Sequence, residues 1–238
     1  MKIAIVHSVS GESARFLKEY LEEAGHRVDI HRPHHSDKIR YYEYDKVINI
    51  GCSAPIKAKK GAIINRPSAV RLCIDKRLTF AMLDKHLVNT LEWTTDFKKI
   101  PATWDQVAVR KDACGRKAED LEWYLLPLEK HLVPRDAALY TRCFYGRFEY
   151  RIVVVCGKII GRYYKSLQPN GDWAMKLQKP NGFETMDSHV LKAAEALGID
   201  YAGFDVIANN KRDFAILEAN SGATILHEAA AEFVNLLT

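Results

Sequence analysis

The fold is decided by two short apolar segments near the C-terminus: Ala202-Gly203-Phe204-Asp205-Val206-Ile207 and Ala215-Ile216-Leu217-Glu218-Ala219-Asn220. A cluster of turn-forming residues at 209–213 separates them. Apolar strand-like runs on either side of such a cluster predict an antiparallel hairpin, with strands at 202–208 and 214–219.

Three oxygen-bearing side chains lie within these strands. A hairpin folded about Lys211 places Asp205 roughly opposite Glu218, and Asn220, two residues further on, shares the face of Glu218. Facing carboxylates repel each other and lose hydration unless a cation lies between them, and hard oxygen ligands suit magnesium that bridges to phosphates. Any one of these side chains alone would more often be an ordinary strand-edge group facing water. All three in this register predict a magnesium site.

The same strands resemble the metal-binding end of the ATP-grasp superfamily, where a Gly-x-Asp strand precedes a strand that ends in Glu-x-Asn. Here these motifs are 203–205 and 218–220, and residues 193–201 resemble the family's helix with its Leu-Gly-hydrophobic-Asp exit. The resemblance implies that the two acids and the amide hold the magnesium ions that bridge the ATP phosphates.

Composition sets outer limits. The chain has 238 residues, a mass of 27.1 kDa and 47% hydrophobic residues, so it can bury a sizeable core in one domain or two small ones. No apolar run reaches the roughly 18 residues of a membrane span, and the apolar opening at 1–6 is too short for a signal peptide. We therefore expect a globular, cytoplasmic protein. Five scattered cysteines without a Cys-x-x-Cys pair argue against a zinc site or a disulfide framework.

The net charge is positive. A formal charge of +5 and a pI near 8.8 suit an anionic ligand such as a nucleotide, but they are also compatible with nucleic-acid binding. Basic residues are spread along the chain, and we expect the densest cluster, 57–60, to be a solvated loop. Nucleic acid is therefore not the partner that we expect.

The first 66 residues predict a small Rossmann-like layer. The turn at 8–11 lacks a Gly-x-Gly-x-x-Gly motif, which argues against a dinucleotide site. ATP-grasp chains commonly begin with such a pre-grasp layer. The predicted strands and helix of this layer are 2–6, 12–24, 26–31 and 46–51.

The resemblance runs from about residue 62 to the end, with the motifs in the family's order. It is closest to the small glutathione-synthetase-like or ribosomal-modification-type ligases, especially phage ATP-grasp proteins. It implies a mixed α+β and α/β fold in which two α+β subdomains clasp ATP behind the pre-grasp layer. We place the pre-grasp domain at 1–66, the N-terminal grasp subdomain at 67–138 and the C-terminal grasp subdomain at 139–238.

Several cations are candidates for phosphate contacts. A helical segment at 68–80, with a predicted break near Asp75, follows the family's Asn-x-Pro signature. The resemblance implies that Lys76 contacts phosphate at the mouth of the cleft, although a lysine in a charged helix is usually just solvated.

The strand predicted at 106–111 ends in two cations. In relatives, a strand-end cation lies along the α and β phosphates and a glycine-containing loop closes over them, which implies Arg110 for the contact, Lys111 as its alternative and Gly115 for the loop. Arginine suits this role because its planar fork donates two hydrogen bonds at once.

The segment at 139–144 resembles the hinge strand between the two grasp subdomains. Backbone groups of this strand meet the adenine edge in relatives. The resemblance therefore implies Arg142 and Phe144 as backbone contacts for adenine.

Glu149 and Arg151 share one face of the strand predicted at 148–155. An exposed ion pair between them would contribute only about 0–1 kcal/mol. The resemblance instead implies that Arg151 lies near the γ-phosphate and that Lys165, on the next strand, assists it, with Glu149 beside them at the nucleotide.

A site of this kind implies ATP and Mg2+ as cofactors. A carboxylate would attack the γ-phosphate to form an acyl phosphate, which an amine would capture, so that the products are an amide or peptide bond, ADP and phosphate. The substrates would be a small-molecule or peptide carboxylate and an amine acceptor; neither the sequence nor the resemblance identifies them, and the oligomeric state stays open. Two alternatives remain: an ATP-grasp-type kinase, and a nonenzymatic nucleotide- or nucleic-acid-binding module.

Overall fold

The computed structural model describes residues 1–8, 11–32, 40–114, 121–168 and 173–238. In chain order its elements are β1 (Lys2–His7), α1 (Gly11–Glu23), β2 (Arg27–His31), β3 (Lys46–Ile50), β4 (Ile63–Ile64), α2 (Pro67–Ile74), α3 (Lys76–Lys85), β5 (Trp93–Thr94), β6 (Gln106–Arg110), β7 (Leu121–Leu125), β8 (Leu139–Arg142), β9 (Phe148–Val155), β10 (Lys158–Leu167), β11 (Trp173–Leu177), α4 (Glu184–Leu197), β12 (Tyr201–Ala208), β13 (Phe214–Asn220) and α5 (His227–Leu237).

A parallel sheet in the order β2-β1-β3-β4 forms the first layer. Helix α1 crosses over between β1 and β2 and buries Ala14, Leu17 and Leu21, which recur at helical spacing. The predicted Rossmann-like layer is present, with element bounds that agree with the sequence pattern to within one or two residues and with β4 as an added edge strand.

The central layer is an antiparallel sheet in the order β11-β10-β9-β12-β13. Helices α2, α3 and α4 cover one face, where Ile152, Phe204 and Ile216 are fully buried. On the opposite face, α5 and the first layer share one core with Val155 and Tyr201 of the sheet. The first layer and the central sheet are therefore joined by continuous apolar packing.

A third sheet, in the order β5-β8-β6-β7, is also antiparallel and has its own core around Trp104, Val107 and Tyr140. The chain enters this sheet through 86–92 and leaves it through 143–147. Together the three sheets give the α+β architecture that the sequence predicts.

Packing groups the elements differently from the predicted domain limits. Helices α2 and α3 pack on the central sheet, whereas β8 belongs to the third sheet. The apolar faces of α2 and α3 decide this, because they complete the core beneath β12 and β13. The divisions at 66 and 138 stay predictions about functional subdomains.

Asn65 connects the first layer to the central sheet. It is fully buried in the left-handed region, with φ of 62°, which asparagine tolerates better than most residues. Its Oδ1 accepts hydrogen bonds from the backbone N–H groups of Asp200 (2.8 Å) and Tyr201 (2.6 Å), and its Nδ2 donates to the carbonyl of Tyr201 (2.7 Å). Pro67 then begins α2, where its missing N–H is harmless.

Among the described residues, no helix is both long and apolar enough to cross a bilayer. The five cysteines are free thiols.

Candidate active site

The predicted metal ligands meet on one face of the central sheet. Asp205 on β12 lies directly opposite Glu218 on β13, and Gly203 lies opposite Asn220. Asp205 is only 5% exposed, whereas Glu218 and Asn220 are partly exposed. The hairpin and the facing of the two acids are therefore present as the sequence predicts.

A β-bulge in β13 makes this facing possible. Val206 pairs with Ile216, but the next residue along β12, Asp205, pairs with Glu218, so that Leu217 is an extra residue. A regular ladder would pair Leu217 with Asp205 and turn Glu218 towards the buried face. The bulge takes up one residue and thereby keeps Ile216 and Ala219 in the core while Glu218 faces Asp205.

Cations occupy the same face on the neighbouring strands. Arg151 lies opposite Asp205, and its Nε and Nη2 donate to the two carboxylate oxygens at 2.8 Å each. Lys165 lies opposite Glu149, pairs with it, and also donates to Asp205 Oδ2 at 3.2 Å. Burial alone would lower the pKa of Arg151, but the hydrogen bonds and charge of Asp205 outweigh this effect and raise it.

The glycine of the Gly-x-Asp motif has a steric role. A Cβ at Gly203 would lie 3.0 Å from the Cβ of Ala223 and 3.2 Å from Cδ of Arg151. A larger residue would therefore push against both the arginine stem and the segment that follows Asn220. Glycine leaves room for the Arg151 side chain and the segment after Asn220 to pack against β12.

Lys76 reaches the site from α3. The predicted break is present at Asp75, which is extended and caps α3 by accepting a hydrogen bond from the N–H of Arg77 at 3.0 Å. Nζ of Lys76 lies 3.5 Å from Glu218 Oε2, and its backbone N–H donates to the carbonyl of Ala113 at 3.0 Å. The start of α3 therefore contacts both β13 and the segment that follows β6.

Arg110 and Lys111 have different surroundings. Strand register places Arg110 on the same face of the third sheet as Ala108, opposite to the face on which Val107 and Val109 form the core. Lys111 instead forms an exposed ion pair of 2.6 Å with Glu122. Gly115 lies outside the described residues.

At the predicted hinge strand, Glu92 binds Arg142 twice. The carbonyl of Glu92 accepts from the N–H of Arg142 at 2.8 Å, and its Oε1 accepts from Nη1 at 2.6 Å, while Trp104 Nε1 donates to Oε2 at 3.0 Å. Because its N–H is already used, a backbone contact from Arg142 to adenine would involve its carbonyl. The carbonyl of Phe144 accepts from the N–H of Gly146 at 3.0 Å. Sequence reasoning missed Glu92, which lies far from the hinge strand in the chain and in no motif.

The donor set fits magnesium held together with a nucleotide. In the described part of the chain, no three His, Cys, Asp or Glu side chains gather as a metal cluster. Two carboxylates and the Asn220 amide are fewer oxygens than magnesium requires. The missing positions suit phosphate and water oxygens, which magnesium prefers to retain in nucleotide sites.

Comparisons with known proteins establish the fold. No family model and no curated protein matches the sequence. The ATP-grasp ligase PsnB, solved with a minimal precursor, is 14% identical, with a TM-score of 0.76 over 99% of each chain. The D-alanine–D-alanine ligase of Bacillus anthracis, solved with ATP, is 13% identical, with a TM-score of 0.69 over 98% of this chain and 91% of that one.

A third similar structure is the macrocyclase MdnC of Microcystis aeruginosa, bound with the precursor peptide MdnA. It is 11% identical, with a TM-score of 0.67 over 100% of this chain and 99% of that one. At such identities, the likeness shows the fold. This chain has the ATP-grasp fold over nearly its whole length, and the predicted fold class is confirmed.

Proposed function

We propose that this protein is an ATP-dependent carboxylate–amine ligase that forms an amide or peptide bond through an acyl phosphate and releases ADP and phosphate. The observation that carries the proposal is the face of the central sheet on which Asp205, Glu218 and Asn220 lie beside Arg151 and Lys165. Fold alone does not determine activity, whereas this face brings together the groups that the chemistry needs.

In this proposal Asp205, Glu218 and Asn220 hold Mg2+, which, when bound, would neutralise charge on the ATP phosphates. Arg110 lies along the α and β phosphates, and Lys76 contacts phosphate from α3. Lys111 has the weaker claim because it lies beyond the end of β6 and its side chain is 61% exposed.

Arg151 and Lys165 face the γ-phosphate and the attacking carboxylate. A carboxylate oxygen attacks the γ-phosphorus and the bond to ADP breaks, which leaves an acyl phosphate. The amine then attacks the acyl carbon, inorganic phosphate departs, and the amine loses a proton. Fixed cations stabilise the negative charge on the transferring oxygens, and this positioning is the main contribution of the protein to such a step. Glu149 holds Lys165 in position through their ion pair.

The fold relatives suggest the substrate class. PsnB and MdnC were solved with precursor peptides, and one PsnB structure also contains Mg and ADP. We therefore favour a carboxylate and an amine carried by a peptide over two free small molecules. Free thiols and the use of ATP favour the cytoplasm as the site of the reaction.

The test is ATP turnover with a library of carboxylate peptides, with and without hydroxylamine. A ligase of this kind yields ADP, phosphate and a hydroxamate, because hydroxylamine captures an activated acyl group and the release of ADP identifies that group as an acyl phosphate. We expect Asp205→Asn and Glu218→Gln each to reduce turnover at least about a hundredfold, in line with the loss of a charge-stabilising group. Asp213→Asn, at the turn of the same hairpin, is the matched control and should keep full activity.

Other products would contradict the proposal. Release of AMP and pyrophosphate excludes an acyl phosphate formed with ADP. Release of ADP without any hydroxamate, together with a phosphorylated product, would identify the kinase alternative.

A further inference from the structure

Both acids of the candidate metal site are paired with the cations proposed to bind phosphate. Arg151 takes both oxygens of Asp205 at 2.8 Å, and Lys165 adds a third contact at 3.2 Å. Glu218 Oε2 lies 3.5 Å from Nζ of Lys76. Each proposed acidic metal ligand is thus neutralised from within the protein.

We infer that the site binds metal and nucleotide by exchanging these ion pairs. Phosphate oxygens attract Arg151 and Lys165 away from Asp205 and attract Lys76 away from Glu218, and both carboxylates then become available to the divalent cation. The divalent ion alone binds weakly, because it must compete with bonds that the protein already makes. The inference rests on the proposed function of this site. It adds that the carboxylates become available to the metal only as phosphate takes over their cations.

Burial favours the exchange over displacement by the metal alone. The side chain of Asp205 is 7% exposed, that of Lys165 is 10% exposed and that of Arg151 is 18% exposed. Removing one partner from a buried pair is strongly unfavourable, because the other charge is left without compensation. A metal that displaced Arg151 in the absence of phosphate would cost its guanidinium both hydrogen bonds to Asp205 and leave it only the charges of Glu218 and Glu149 nearby. When phosphate arrives together with the metal, every charge has a partner throughout.

Glu149 completes the arrangement. It pairs with Lys165 independently of Asp205, since the two lie opposite each other on β9 and β10. When Asp205 turns to the metal, Lys165 keeps one acidic partner and stays on its strand. Glu149 is therefore a positioning residue that keeps the Lys165 ammonium in place when Lys165 loses its contact with Asp205.

The consequence is a measurable coupling. If nucleotide frees the metal ligands, it strengthens metal binding, and metal must strengthen nucleotide binding by the same factor. Direct contact between metal and phosphate also produces coupling, so the test must isolate the contribution of the ion pairs.

The experiment measures Mn2+ as a probe for magnesium, by the EPR signal of the free ion, with and without ADP and with correction for MnADP in solution. Arg151→Lys keeps the positive charge but loses the fork that holds both oxygens of Asp205. We expect it to strengthen binding of Mn2+ alone by about tenfold, the effect of losing one charge-assisted hydrogen bond, and to weaken ADP binding. Arg162→Lys is the control, because it makes the same change in an arginine that pairs with Asp187 from the opposite face of the sheet.

A second measurement needs no variant. We expect the NMR signal of the Nε–H of Arg151 to stay unchanged when Mg2+ is added alone and to shift when Mg2+ and ADP are added together. A shift with Mg2+ alone, or unaltered Mn2+ affinity in Arg151→Lys, overturns the inference. If the wild type binds metal and ADP independently, only the exchange is wrong; if it binds no ADP at any metal concentration, the proposed function fails as well.

Discussion

Replacing Asn65 with alanine should strongly destabilise the fold. The change removes the amide that joins the first layer to the start of β12. It leaves two backbone N–H groups, those of Asp200 and Tyr201, and the carbonyl of Tyr201 without their partner. The residue is fully buried, so water does not replace these bonds.

The magnitude follows from these groups. Each buried polar group that loses its partner costs about 1–3 kcal/mol, and local relaxation favours the lower part of that range, so three groups give roughly 3–5 kcal/mol. Alanine must also adopt the left-handed backbone, where φ is 62°, which adds about 1 kcal/mol. Asn65→Gly should recover this last contribution but not the hydrogen bonds.

The assay is urea unfolding followed by both tryptophan fluorescence and circular dichroism, with coincident transitions required before free energies are compared. Asn235→Ala, at an exposed position of α5, is the matched control and should change the free energy of unfolding by less than about 0.5 kcal/mol. A loss below about 1 kcal/mol in Asn65→Ala would refute the reasoning.

Three further predictions concern the site and the hinge. Gly203→Ala should raise the KM for ATP and lower turnover about tenfold in steady-state assays, because the new methyl lies within 3.2 Å of the arginine stem; unchanged kinetics would contradict the steric argument. Burial, and then a neighbouring lysine, lower the pKa of His189 below 6.5, and its Nδ1 accepts from the N–H of Asn89 at 3.0 Å. The stability contributed by neutral His189 is therefore complete above pH 6.5 and is lost as the pH falls through the folded-state pKa. Because His189→Asn keeps a hydrogen-bond acceptor but does not titrate, it should flatten the dependence of Tm on pH between pH 7 and pH 5. An unaltered slope would count against this reasoning. Glu92→Gln should weaken the contact with Arg142 and lower Tm by a few degrees, as about 1 kcal/mol implies. Asp136→Asn, at an exposed position of the same lobe, should show whether charge removal alone has that effect.

Local patterns predicted the elements well. Asp75 ends α2 and caps α3, as expected from the interruption in the helical pattern, and the turn formers at 209–213 do separate β12 from β13. Both signals are contained within a few residues, and the physics that they express is equally local.

Pairing between distant segments was harder to predict from the sequence. Counting outward from a turn centred on Lys211 gives Leu217, not Glu218, as the partner of Asp205, and only the bulge corrects the register. Glu92 and Arg142 are separated by 50 residues, and no periodicity links them. Such contacts depend on how whole sheets are placed, which propensity and spacing do not encode.

The irregularity at Leu217 also limits which changes in length the last strand can accept. Deleting Leu217 would produce a regular ladder that still aligns Glu218 with Asp205. An insertion between Glu218 and Asn220 would instead turn the side chain of Asn220 towards the apolar core. The two acids would therefore still face each other if Leu217 were absent. What the surplus residue supplies is curvature, because a bulge bends and twists its strand.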